Sequence, residues 1–181
     1  MANTDTPQSP QAPKKSTLDT AANVAIILVC AIAAVVLVRN QFFAPRPPGA
    51  PPQVEKGEQF AALKQAVPAG ASRALVVAVS PTCHFCNDSL PFYKTLVDQR
   101  NQKGSQVKFV AAVPTEDAKA PETEKFTTAG VQPDNVVHID FSAIKVPGTP
   151  TLMLVDNNGK VLNVWVGKLD DGGEKEVLKT L

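Results

Sequence analysis

Residues 80–92 read "SPTCHFCNDSLPF" and hold two of the chain's three cysteines, Cys83 and Cys86, with only His84 and Phe85 between them. A Cys-x-x-Cys pair can supply half of a zinc site, close a disulfide staple or cycle between dithiol and disulfide. The flanks show where the pair sits. Just before it, "ALVVAVS" (74–80) is a continuous, Val-rich apolar run of strand length, the pattern of a strand buried on both faces. Beyond it, Phe92 with Leu96 and Tyr93 with Val97 fall four residues apart, which predicts a helix from near Cys83 to about Gln102, ending before Gly104. The motif therefore lies where a buried strand hands over to a helix.

Working outward, Phe60, Leu63 and Val67 recur at helical spacing before a Pro68-Ala69-Gly70 stop. "VKFVAAV" (107–113) predicts a second strand and "NVVHID" (135–140) a third, with a short helix between them from Pro121, at its first position, to a stop at Gly130. "TLMLVD" (151–156) and "KVLNVWVG" (160–167) flank Asn157-Asn158-Gly159, a hairpin whose Asn-Gly pair supplies positive φ, and "GGEKEVLKTL" (172–181) closes with a helix. Alternating strands and helices followed by a hairpin predict an α/β sandwich: a mixed central sheet flanked by helices.

A chain of 181 residues suits one domain with an accessory segment. Lys+Arg number 18 against Asp+Glu 17, without a basic, aromatic-interleaved run, so no nucleic-acid partner is expected. The accessory segment is "AANVAIILVCAIAAVVLV" (21–38), which is free of charge and has Asn23 as its one polar side chain. Its length approaches the roughly 20 residues needed to cross a hydrocarbon core, and Arg39-Asn40-Gln41-Phe42-Phe43, rather than a small-x-small cleavage site, follows it. It predicts one uncleaved transmembrane anchor, with Cys30 a small apolar residue inside it. Residues 1–20, with Pro7, Pro10 and Pro13 among polar residues, predict a disordered tail. Residues 39–54, with Pro45, Pro47, Pro48, Pro51 and Pro52, predict an extended linker, and residues 55–181 the globular domain. Lys14 and Lys15 before the span balance Arg39 and Arg46 after it. A short polar tail, one span and a long domain form a signal-anchor layout, and a cysteine pair suits an oxidising compartment, which places the domain in the periplasm, tethered to a bacterial inner membrane.

Buried strand, Cys-x-x-Cys opening a helix, and a distant "VPGTPT" (146–151) entering a hairpin together resemble the thioredoxin fold. Pro91 resembles the proline that kinks the family's active-site helix, Pro150 its cis-proline, and Gly159 and Gly167 its hairpin glycines. The resemblance covers roughly residues 70–181 and, with the anchor, is closest to the membrane-tethered redoxins of the TlpA and cytochrome-maturation type. Departures are Thr82 where those proteins have Trp, His84-Phe85 where they have Pro within the motif, and Val77 where thioredoxins proper carry a buried acid.

The resemblance implies a thiol–disulfide oxidoreductase with Cys83 as nucleophile and Cys86 as resolving thiol, Thr149 and Pro150 pairing with an extended substrate segment, and His84 tuning the thiolate. It implies protein thiol or disulfide substrates, a membrane or periplasmic redox partner, mainly reductive action, and no cofactor or metal beyond the Cys83–Cys86 pair. Thiols placed this way fall from a pKa of about 8.5 to roughly 3.5–7.5. A purely structural bond at this spacing would close a tiny loop and constrain little chain. Structural zinc takes four Cys or His ligands, whereas outside the pair only His84 and His138 are offered; a copper-binding thiol module remains the alternative. A thiol peroxidase is a further one, although Val76 and Ser80 stand where Pro-x-x-x-Thr-x-x-Cys needs Pro and Thr. His138 reads as a half-buried strand filler, and Trp165 and Met153 as core.

Overall fold

The computed structural model describes residues 17–43 and 52–181, with side chains of the first helix described for 23–37. The chain divides into two units, Met1–Ala50 and Pro51–Leu181.

The first unit contains α1 (Thr17–Phe43). Val24, Ile27, Leu28, Val35 and Leu37 are all exposed, so apolar side chains point outward around the helix. Among the described residues no helix is long and apolar enough to cross a membrane. The described side chains of α1, 23–37, are fewer than the roughly 20 apolar residues of a span, and Ala21, Ala22 and Val38 of the expected anchor fall outside them. Helix occupies 17–20 and 39–43, which the sequence assigns to tail and linker; the rest of the tail and residues 44–51 lie outside the described residues.

The second unit runs α2 (Ala61–Ala66), β1 (Arg73–Ala78), α3 (His84–Asp88), α4 (Leu90–Gln102), β2 (Lys108–Val113), α5 (Lys119–Thr128), β3 (Asn135–His138), β4 (Thr151–Asp156), β5 (Val161–Val166) and α6 (Asp171–Leu178). The five strands form one mixed sheet in the order β3-β2-β1-β4-β5, with β1, β2 and β3 parallel and β4 and β5 antiparallel. The steps β1→β2→β3 go the same way across the sheet, and crossovers between parallel strands are right-handed, so α4 and α5 must cover the same face. They do: Leu75, Val77 and Phe109 from the strands share a core with Phe92, Tyr93 and Leu96 of α4, Phe126 of α5 and Val177 of α6. The alternate strand residues Ala74, Val76, Val110 and Met153 face Leu63 of α2, Val54, Ile139 and Ile144.

The long helix expected from Cys83 to Gln102 is two helices, because Pro91 has no N–H to give the Asn87 carbonyl and α3 ends at Asp88, capped by Ser89. Pro121 is the third residue of α5 rather than the first, at a position whose amide would have no intrahelical partner anyway. Gly130 ends α5 as predicted, at φ 70°, its N–H bonding Thr127 O while Val131 N–H bonds Phe126 O, a Schellman closure. The third strand stops at His138, short of Asp140. Within the hairpin turn, 157–159, the positive φ falls on Gly159 alone. Val54, assigned to the linker by sequence, is buried and donates its N–H to Lys145 O at 2.7 Å.

Candidate active site

β1 ends at Ala78 and the chain continues in line, with Val79 N–H still bonding Ala112 O, before turning through Ser80, Pro81 and Thr82. Cys83 N–H closes that turn on Ser80 O at 3.0 Å. Cys83 is then the N-cap of α3, in extended conformation, and its sulfur accepts the Cys86 N–H at 3.0 Å. A capping residue normally offers an oxygen for this bond; here the acceptor is the sulfur of a cysteine that the sequence singles out.

Cys83 and Cys86 are joined as a disulfide. The two sulfurs are not equivalent in access: Cys86 is 1% exposed and packed in the core, whereas Cys83 is half-buried at its edge. A thiolate arriving from solvent therefore reaches Cys83 first, and Cys86 stays beneath it.

The second wall comes from far along the chain. The Thr149–Pro150 peptide bond is cis, and the Thr149 carbonyl oxygen lies 3.3 Å from Cys83 Sγ. In the disulfide that contact has no proton; in the dithiol the Cys83 S–H can donate to it. The turn holding Thr149 is fastened from both sides, by the buried Thr151 hydroxyl donating to Gly148 O at 2.7 Å and by Gly167 N–H on Pro150 O at 2.7 Å. Upstream, Lys145 sits at φ 54°, and its ammonium pairs with Glu58 and lies 5.9 Å from the Phe60 ring centre.

His84 is 80% exposed, with Nε2 3.6 Å from the Asp88 carboxylate, which Lys168 approaches at 3.4 Å. Phe85 and Val166 are the large apolar side chains exposed in this domain. His138 is not the expected filler but an exposed residue, 4.0 Å from Glu116, and it does not join the thiols. Trp165 and Met153 are buried as predicted, the indole N–H donating to Glu176 at 3.1 Å. Among the described residues no group of three or more His, Cys, Asp and Glu stands close enough to hold a metal ion.

Sequence reasoning missed Glu122 and Lys125. Glu122 is 1% exposed, its carboxylate 2.9 Å from Lys125 Nζ, and that ammonium also donates to Pro81 O at 3.2 Å. "PETEK" (121–125) reads as a solvated helix face, and nothing in it signals burial. The Tyr93 hydroxyl belongs to the same region: burial pushes its pKa far above the ordinary value, the Ser89 hydroxyl opposes this, and the Glu122 charge adds to it.

A cysteine pair at the start of a helix, one sulfur accessible and one covered, set against the Thr149 carbonyl that precedes a cis-proline, is an arrangement able to exchange disulfides. The chain belongs to the thioredoxin-like family, whose model, described as a thioredoxin-like domain, matches residues 59–180. No curated protein matches it. Among solved structures, one from Bacteroides thetaiotaomicron assigned as a protein disulfide isomerase is similar at 13% identity and TM-score 0.53, covering 70% of this chain and 88% of that one. A thiol-disulfide isomerase from Corynebacterium glutamicum is similar at 19% identity and TM-score 0.49, covering 72% and 96%. At 13% identity the likeness to the Bacteroides structure is one of fold.

Proposed function

We propose that the chain is a membrane-tethered thiol–disulfide oxidoreductase that reduces protein disulfides outside the cytoplasm, on the periplasmic side of a bacterial inner membrane. The observation that carries it is the asymmetry of the pair: Cys83 half-buried beside the Thr149 carbonyl, Cys86 covered beneath it. In the reduced state the Cys86 N–H favours negative charge on Cys83 Sγ. That thiolate attacks a substrate disulfide, forming an S–S bond to one substrate sulfur and expelling the other as a thiolate, which takes a proton from water. Cys86, after losing its proton to water, attacks Cys83 Sγ; the Cys83–Cys86 disulfide forms and the second substrate sulfur leaves. The substrate gains two electrons, and a dithiol partner returns them to the pair. Thr149 and Pro150 present backbone to an extended substrate segment, and His84 adjusts the thiolate.

Tethering is supported by the uncharged run 21–38 and by the outward apolar side chains of α1. The full chain in detergent should reduce an insulin-type disulfide, Cys83→Ser should abolish the reaction, and Cys86→Ser should trap substrates as mixed disulfides. Activity that survives Cys83→Ser refutes the assignment. An export-dependent reporter fused after Leu181 should be active. Equilibration with glutathione should give a potential more reducing than about −180 mV, whereas about −120 mV would make the protein an oxidase.

A further inference from the structure

We infer that Lys125, held by the buried Glu122 carboxylate, is a positioning residue that fixes the Ser80–Cys83 turn and through it the reactivity of Cys83. This rests on the redox reading above and adds a residue pair from a different helix to it. Burying a carboxylate is costly unless it is paired and hydrogen-bonded, and an ion pair that only supported α5 would do so as well in solvent. Here the carboxylate is covered, and the ammonium that neutralises it makes a second bond, to Pro81 O. Pro81 has no N–H, so its carbonyl is the main-chain polar group by which a neighbour can grip that residue. The turn is otherwise secured by Cys83 N–H on Ser80 O and by the 3.4 Å contact of the Ser80 and Thr82 hydroxyls. Two residues past Pro81, Cys83 Sγ must meet both the Cys86 N–H and the Thr149 carbonyl, which face it from α3 and from the cis-proline turn. The Cys86 N–H bond is local to the start of α3, whereas the Thr149 carbonyl belongs to a distant element, so a turn free to drift would lose the second contact.

The test uses the full chain carrying Cys30→Ala, with exchange against glutathione followed as a rate and as an equilibrium constant, beside a urea midpoint. The double replacement Glu122→Gln with Lys125→Met leaves no unpaired buried charge. It should slow exchange about tenfold, within what an ångström of misplacement of a reacting group produces, and should also shift the equilibrium constant. Lys125→Arg, which can reach both acceptors, should restore both. If the double variant does not fold, Glu122→Gln with Lys125→Gln, again without a buried charge, carries the same expectation. A lowered urea midpoint with wild-type rate and equilibrium, while Cys83→Ser still abolishes exchange, overturns the inference alone. Exchange that survives Cys83→Ser overturns the redox reading and this inference with it.

Discussion

On one face of the sheet Tyr93, Phe109 and Phe126 meet ring to ring at 5.8–6.3 Å, with Phe92 and Trp165 in the same core. On the other face the strands present Ala74, Val76, Ala78, Val110 and Ala112, and the cover is a six-residue helix, the segment at Val54 and the stretch at Ile139 and Ile144. Bulky rings hold whole helices away from the sheet and fill the gap with area, whereas small side chains let backbone come close. The thiols belong to the first face: Cys86 is in its core and Cys83 packs against it. The second face instead braces the loop that carries Thr149, through Val54 and Glu58 on Lys145. One face therefore holds Cys83 and the other braces the turn that faces it.

If the ring face carries most of the stability, Phe126→Ala should be the most damaging core substitution, at about 3–5 kcal/mol for a fully buried ring, measured by urea unfolding. A loss under about 1 kcal/mol would break the contrast. The close-approach face should fail differently. A Cβ at Gly159, already at φ 78°, would meet the Phe60 carbonyl and stand 2.6 Å from Lys64 N, so Gly159→Ala should cost about 1–3 kcal/mol although it adds apolar volume.

Tyr93 sharpens the comparison by spectroscopy, since it is the chain's single tyrosine. Its folded pKa is raised, so its contribution to stability is complete below the unfolded value of about 10 and is lost as pH rises beyond it. Phenolate absorbance should therefore appear together with unfolding. A smooth titration near pH 10 in the intact fold would mean that the ring core is wet.

The smallest effect should come from Asp140, which receives the Ser142 hydroxyl at 2.7 Å and amide at 2.9 Å, bonds that hold its exposed carboxyl below the usual range. Its contribution is present above the unfolded pKa of about 3.9 and is lost as pH falls through the folded one. Wild type should lose slightly more of its urea midpoint between pH 5 and 2.5 than Asp140→Asn does.

Much of this was legible in the sequence because it is local. The continuous run before Cys83, the i, i+4 pairs of α4, the Gly130 stop and the position of Cys83 at a strand-to-helix junction depend on side-chain pattern and backbone freedom within about ten residues. Pro150 and Thr149 were legible only through resemblance, since X-Pro sequence alone does not select the cis isomer. The two-helix break at Ser89 was readable in Pro91, whose missing N–H has one local consequence.

What tertiary structure decided is which elements meet. The strand order β3-β2-β1 is not written in any segment, yet with right-handed crossovers it sends α4 and α5 to one face and so sets Glu122 and Lys125 beneath the Pro81 turn. The same holds for Gly159, chosen locally for its φ but also by the backbone of α2 lying against it. Sequence alone determined most of the helices and strands and the placement of the Cys83–Cys86 pair at a strand-to-helix junction, because those follow from periodicity and chemistry along the chain. The burial of Glu122 followed only from packing, because contacts between distant segments depend on how strands are ordered and not on any residue's own preference.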